Sequence, residues 1–512
     1  MIKKFLKKNW LILLILLIAA FLRLYRISAY TEFLGDQGRD VMIIKDLLKN
    51  GNLFFIGPQT SIGNMYLGPY FYYLITPSLW LANYSPLGPA IFIALINIAT
   101  VYLIYFVAKK WFTKPVAYTS AFLFAISPVV IKYSNFIWNP NIMPFFTLLF
   151  VYFFFTAFQK ENYRYFIYAV LAFVMMINSH YLALAILPLA GFYWLLRLIK
   201  YIRSKSKDKA KKLKSFIINT LLAFLVFIVS LTPQVLFDVK HDGQNFKALM
   251  TFFTQRETTV NIKAYKAIPE LPTLFTQVNT RLLAGRDINI GLIVTIIFTV
   301  LLLFYLIKDF RNKEKWSKKE SFYYIFLWYL FGLIALALYK QHVYDHYFSF
   351  IFPAVFILIA ILINKFKVIG VPLLLLIVVY SFINNPFSKP ANYQISHAQD
   401  IAIAITEHIN EEDGLYNVTL LASYNDFRAL APRYFLLAND KNSQNLLDQE
   451  KYQQAQTLFV ILDDPQKWSQ GVDSDIWEIN VFGSKEIVEE FESSDGVKIF
   501  KLVHTQDDQE NN

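Results

Sequence analysis

The stretch "WLILLILLIAAFLRLYR" at residues 10–26 sets one bulky apolar side chain after another for longer than a soluble core helix requires. Crossing a hydrocarbon layer of roughly 30 Å takes about 20 such residues, with every backbone polar group satisfied inside a helix. Comparable runs recur near 87–108, 115–132, 141–158, 165–179, 181–200, 215–236, 289–307, 321–339, 347–364 and 368–384. With the first run near 10–27, they predict about eleven spans. The expected fold class is therefore mainly α, a polytopic membrane protein. Composition agrees: 56% of the 512 residues are hydrophobic and 17% charged, far more apolar side chain than a soluble core of that length uses. No small-residue cleavage site follows the first run, so it reads as a retained helix rather than a signal peptide.

The net charge of +12 hides a split. From Asn384 onward there are 9 Lys/Arg against 22 Asp/Glu, and the residues before it hold 40 and 15. The basic stretches "KKFLKK", "KKWFTK", "QKENYR", "RLIKYIRSKSKDKAKKLK", "KDFRNKEKWSKK" and "NKFK" occupy alternate connections. That is the positive-inside pattern, and it predicts a cytoplasmic N-terminus with those loops inside. The basic charge is thus membrane topology rather than a nucleic-acid surface. An odd number of spans puts the acidic tail outside, as does the connection 28–86. The expected domains are a transmembrane domain over 1–384 and an extracytoplasmic soluble domain over 385–512.

There are no cysteines, so disulfides, thiolate nucleophiles and Cys-ligated metals are excluded; an extracytoplasmic part without them suggests a prokaryotic cell membrane. In the tail, "QDIAIAITEHINEED" has helical spacing. "NVTLLASY", "TLFVILDD", "WEINVF" and "VKIFKLV" are short apolar runs between polar, helix-like stretches such as "SKEIVEEFESS". This alternation predicts a small α/β domain around a sheet.

Chemistry-bearing residues gather in the outer connections. In "LGDQGRDVMIIKDLLKNGN", Val41, Ile44, Leu47 and Leu48 recur at helical spacing and Asn50-Gly51 is a stop signal. This predicts an amphipathic helix along the membrane surface with Asp36 and Asp40 on one face. Two readings of these acids stand. Asp36 is a helix cap and Asp40 a solvated first-turn acid, or the pair is a reactive site, since desolvation turns a carboxylate into a useful base near neutral pH.

Beyond them, Gly57-Pro58 and Gly68-Pro69 punctuate an aromatic segment whose Tyr66 and Tyr70 are either an interfacial belt or platforms for sugar rings. The scarce histidines His180, His241, His342, His346 and His397 lie in or next to outer connections. A lone interfacial histidine is most often structural. Grouped with Lys340, Arg281 and Arg286, however, these residues predict a pocket for an anionic headgroup. No zinc spacing is present.

A first span, an acidic "GDQGRD" with an amphipathic helix, then "GPQTSIGNMYLGPYFYYL" and many further helices resemble the GT-C glycosyltransferases that use polyprenyl-phosphate sugars. Within them, the order of features is similar to protein O-mannosyltransferases and the lipid A aminoarabinose transferase. "SNFIWNPNIMPFF", "NSHYLAL", "TPQVLFDVKHDGQNFKAL" and "DHYFSFIFP" extend the resemblance over 1–384. It implies an inverting enzyme that moves one sugar from a polyprenyl-phosphate carrier to an acceptor hydroxyl outside the cytoplasm.

The partners so implied are the lipid-linked donor, a protein, lipid or glycan acceptor, and membrane lipid, with no nucleic acid. Carried over, the catalytic acid is Asp36 with Asp40 as its neighbour. Arg39, Tyr66, Tyr70, His180, His241, Lys340, His342, His346 and Tyr347 are the expected substrate contacts. Relatives often carry two adjacent acids, whereas Gln37 follows Asp36 here. The "WWDYG" signature of oligosaccharyltransferases is absent. No cofactor follows from the sequence; some relatives use a divalent metal ion and others do not, which leaves one open. The competing class is a transporter or flippase of lipid-linked saccharides, which would place ionisable residues within the spans; an adhesion or scaffold protein comes third.

Overall fold

The computed structural model describes residues 2–60, 65–254, 263–311, 316–340, 342–438 and 444–505. It divides into two compact units that do not follow a single cut in the chain. The first comprises 1–25, 53–77 and 89–390, and the second 26–52, 78–88 and 391–512. The acidic stretch 33–40, expected from sequence to belong to the membrane domain, therefore folds with the tail.

The first unit is helical. Among the described residues, seven helices are long and apolar enough to cross a membrane: Leu87–Trp111, Asn139–Gln159, Tyr181–Arg203, Lys209–Ser230, Ile288–Arg311, Lys319–Ala337 and Asp345–Lys365. Tyr165–Ser179 and Lys367–Ile383 are shorter apolar helices. The eleven expected spans thus include stretches that fall short by length. The run near 115–132 is one, because it breaks into Lys114–Ile126 and Pro128–Lys132. Proline disfavours a helical residue before it, and Ser127 is accordingly extended, with ψ 122°.

The break exposes carbonyls that need donors. Arg23, fully buried on the first helix Ile2–Leu24, supplies them: its Nη1 donates to the Ala125 carbonyl at 2.9 Å and its Nη2 to that of Phe124 at 3.4 Å. The helix at the centre, Phe352–Lys365, is apolar all round and buried from Phe352 to Ile363, as such a helix must be. Helices Lys209–Ser230 and Ile288–Arg311 instead expose rows of Leu, Ile, Val and Phe, a surface suited to lipid rather than water.

The second unit carries a four-stranded sheet of β1 (Tyr416–Leu421), β2 (Thr457–Leu462), β3 (Lys485–Glu492) and β4 (Lys498–His504), in the order β1-β2-β4-β3. β1 and β2 are parallel and the other pairs antiparallel. "TLFVIL" is apolar on both faces because both are covered. Phe459 and Ile461 pack with Ile401 and Ile405 of the helix Gln394–Glu407, whereas Leu458 and Val460 pack with Tyr452, Ile479 and Phe482.

Two local expectations are corrected. "WEINVF" forms a short helix, Trp477–Asn480, and the helix-like "SKEIVEEFESS" forms the edge strand β3. Every second residue of β3 need only face solvent, so glutamates that suggest a helix are tolerated on an exposed edge.

His397 ties the helix Gln394–Glu407 to the sheet ends, with Nε2 3.3 Å from Asp463 and Nδ1 2.5 Å from Asp495. The Asp463 carboxylate, helped by Asp495 and opposed by burial, pushes the imidazole up to about 9. A histidine whose folded pKa is raised contributes stability that is complete below its unfolded value of about 6.5 and lost as pH rises through the folded one. The melting-temperature gap between the native chain and His397→Gln should therefore be widest near about pH 6 and close by roughly pH 9.5. A gap that does not narrow with pH refutes this charge pairing.

Candidate functional site

The acidic helix spans Gly35–Asn50 and ends at Gly51, whose φ of 73° is the left-handed stop that Asn50-Gly51 suggests. Its N-cap is Leu34, whose N–H is taken by the Gln37 side chain at 2.9 Å. The capping role proposed for Asp36 thus falls to Gln37. Arg39 joins the two acids: Nη1 donates to Asp36 Oδ1 at 2.9 Å, and Nε and Nη2 donate to Asp40 Oδ1 at 3.0 and 2.7 Å. One guanidinium between two carboxylates offsets their repulsion. The acids are not equivalent, since the Asp36 side chain is 52% exposed and that of Asp40 is fully buried. Asp36 is open to an incoming group, while Asp40 holds Arg39.

The apolar face of this helix is covered by protein and not by lipid, which corrects the membrane-surface expectation. Val41 and Ile44 are fully buried. Gly38 lies so close to the helix Leu430–Leu436 that a Cβ would stand 2.5 Å from the Leu430 carbonyl oxygen. Further along, the Lys45 ammonium donates to the Leu437 carbonyl at 3.0 Å.

In the first unit, a cavity of about 600 Å³ is lined by Lys132, Tyr133, Gln277, Arg281, Arg286, His342 and Asp345, among others. Asp345 pairs with both arginines: it forms an ion pair with Arg281, whose Nε lies 3.2 Å from one carboxylate oxygen, and accepts from Arg286 on the other. Three cations against one carboxylate leave the cavity with an excess of positive charge. A second cavity of about 600 Å³, lined by Lys266, Lys340, Glu270, Leu336 and Val343, among others, shares His342 and Gln277 with the first. Lys340 and Arg281/Arg286 thus line neighbouring cavities, with His342 in both.

His346 lines neither. Its ring is enclosed by Trp138 at 4.4 Å, Tyr347 at 4.5 Å, Tyr344 at 5.8 Å and His180 at 5.9 Å between centroids. His180 Nδ1 accepts the Leu182 N–H at 3.1 Å, which puts any ring proton on Nε2. His241 belongs to another cluster, stacked at 4.0 Å on Phe237, which also meets Tyr66. Tyr66 is pinned by its backbone, whose N–H and carbonyl both pair with the Asn245 amide. Tyr70 donates its hydroxyl to the Ser230 carbonyl at 2.9 Å.

The two Gly-Pro turns zip together, Gly57 N–H donating to Leu67 at 2.7 Å and Leu67 N–H to Pro58 at 3.0 Å. A Cβ at Gly57 would lie 2.2 Å from the Gly68 carbonyl oxygen, so only glycine admits this approach. Structure therefore groups His180, His346 and Tyr347, pairs Lys340 with His342, and sets His241 with Tyr66. Lys132, Trp138 and Asp345 are not singled out by sequence, although all three lie in or beside quoted stretches. Among the described residues no group of three or more His, Asp or Glu is arranged to hold a metal ion.

A family model described as dolichyl-phosphate-mannose-protein mannosyltransferase matches residues 67–232. Among solved structures, ArnT from Cupriavidus metallidurans bound to undecaprenyl phosphate is similar over 96% of this chain and 98% of its own, with a TM-score of 0.60 at 11% identity. This chain has the GT-C glycosyltransferase fold. The archaeal oligosaccharyltransferase AglB from Archaeoglobus fulgidus, in complex with an inhibitory peptide and a dolichol-phosphate, shares that fold over 98% of this chain and 75% of its own. Its TM-score is 0.51 at 12% identity. No curated protein sequence matches. Within the GT-C fold, the matched segment takes in both Gly68-Pro69 and His180; Asp36, Arg281 and Arg286 lie outside it.

Proposed function

We infer that the protein is an integral-membrane glycosyltransferase that moves a single sugar from a polyprenyl-phosphate carrier to an acceptor hydroxyl, with inversion. The observation that carries this reading is the cavity bearing Lys132, Arg281 and Arg286 in a chain of GT-C fold. When the acceptor oxygen bonds to the anomeric carbon, the bond from that carbon to the phosphate oxygen breaks and the electron pair leaves with the lipid phosphate. Cations preplaced around that phosphate stabilise the charge as it develops. Neighbours of the same fold are described with undecaprenyl phosphate and dolichol-phosphate bound, which supports a lipid phosphate as the anion here.

The acceptor proton has to go to a base, and Asp36 takes that role in this reading. Its carboxylate is half exposed and fixed by Arg39, while buried Asp40 orients the guanidinium. An acceptor outside the cytoplasm follows from the alternate basic connections. A transporter is disfavoured because Arg23, the charge buried at the end of the first helix, has both terminal nitrogens engaged by helix carbonyls.

Purified protein offered a panel of polyprenyl-phosphate sugars should release polyprenyl phosphate from at least one; release from none, with each bound, removes the transferase reading. Topology is testable separately, since the chain has no cysteine of its own. A cysteine replacing Glu450 should react with an impermeant thiol reagent in intact cells, and one replacing Lys207 should not. The reverse pattern would invert the orientation.

A further inference from the structure

We propose that the connection 197–214 is a docking surface for anionic phospholipid headgroups in the leaflet that it faces. The surface is independent of the transfer reaction. It joins two apolar helices, Leu187–Arg203 and Lys209–Ser230, and sets nine Lys/Arg against one carboxylate, Asp208. Orienting a span takes far less charge: the alternate connections "QKENYR" and "NKFK" carry two Lys/Arg each. The excess repels itself unless an anion meets it.

Only part of that charge is met within the chain. Glu161, from the neighbouring connection, pairs with Arg197 at 3.1 Å and Lys212 at 2.6 Å, and Lys209 donates to the Ile202 carbonyl at 2.7 Å. Tyr163 and Tyr201, buried and hydrogen-bonded to each other, hold the two connections together. Lys200 interacts with Glu320 on the helix Trp316–Ala337. Arg203, Lys205, Lys207, Lys211 and Lys214 are exposed and, among the described residues, have no carboxylate within ion-pair distance.

Exposed apolar side chains begin directly beyond these cations. Lys211, Lys214, Ile218, Leu221 and Leu222 fall at helical spacing on one face of Lys209–Ser230, and all five are exposed. At 1.5 Å per residue, Lys214 stands about 6 Å along the axis from Ile218. At that depth a lysine keeps its stem against acyl chains and its ammonium among headgroups. Cations at the margin of an apolar surface are complementary to a phospholipid, whose chains lie along the helix while its phosphate meets the lysines. A soluble polyanion would use the cations and leave that apolar margin without a role.

The test titrates the purified full chain, in neutral detergent, with phosphatidylglycerol and with phosphatidylcholine. The native chain should prefer phosphatidylglycerol, and rising salt should shrink that preference. Lys205→Gln, Lys207→Gln, Lys211→Gln and Lys214→Gln combined should lower phosphatidylglycerol affinity by about 100-fold, roughly threefold per charge, and leave phosphatidylcholine affinity unchanged. The corresponding four Lys→Arg substitutions should keep the native preference. A two-charge comparison guards against misfolding of the fourfold variant: Lys207→Gln with Lys211→Gln should lower the affinity more than Lys365→Gln with Lys367→Gln, from "NKFK". No preference in the native chain, a fourfold Gln variant that keeps it, or equal losses from the two pairs overturns the proposal. Tighter binding of inorganic polyphosphate than of phosphatidylglycerol also overturns it, and would give the surface to a soluble polyanion.

Discussion

Asp36→Asn should lower turnover by about two to four orders of magnitude, because an amide cannot take the acceptor's proton. The substitution is mild for the fold. The N-cap is served by Gln37, so the helix Gly35–Asn50 keeps its first turn. It removes one end of the Arg39 bridge, at a half-exposed carboxylate where an ion pair contributes at most about 1 kcal/mol. Arg39 keeps its two hydrogen bonds to Asp40. The measurement is transfer rate at saturating donor beside the melting temperature. Near-normal turnover at unchanged stability would take the base role away from Asp36.

Arg286→Gln should weaken donor binding by about 10- to 100-fold, the loss of a charge-assisted hydrogen bond to phosphate of roughly 1.5–3 kcal/mol. Arg286 is the informative choice among the three cavity cations. Its side chain is 52% exposed, and Asp345 keeps Arg281 when it is removed, so no buried charge is orphaned. Lys340→Met, in the neighbouring cavity with Lys266, should weaken the same donor less. Equilibrium binding of a polyprenyl phosphate to each variant decides between them. A larger loss at Lys340 would move the phosphate to the second cavity.

Much of the helical unit was legible because its cause is local. The length of apolar runs is dictated by the thickness of hydrocarbon, and the helices Leu87–Trp111, Ile288–Arg311 and Asp345–Lys365 follow those runs closely. Gly51 was readable as a stop for the same reason: its backbone requires a left-handed conformation whatever surrounds it. β1, β2 and β4 were likewise legible as short apolar runs. β3 was not, because strand formation in "KEIVEEF" comes from pairing with β4 and not from its own composition.

The site is another matter. Sequence alone placed Asp36 and Asp40 on one helix and collected the cations of the outer connections, since spacing of three or four residues and polarity at a span's end are visible in a string of letters. It said nothing of which acid is buried, that Arg39 spans both, that Lys132 joins Arg281 and Arg286 around one cavity, or that His346 is enclosed by aromatic rings. Nor did it reveal that the acidic helix belongs with the tail, where Gly35 and Gly38 meet Asp426 and Leu430. Apart from the Arg39 bridge, which joins near neighbours, those facts depend on packing between residues from tens to hundreds of positions apart. Periodicity reports what a segment offers on each face, and only tertiary packing decides what meets that face and how much water is left there.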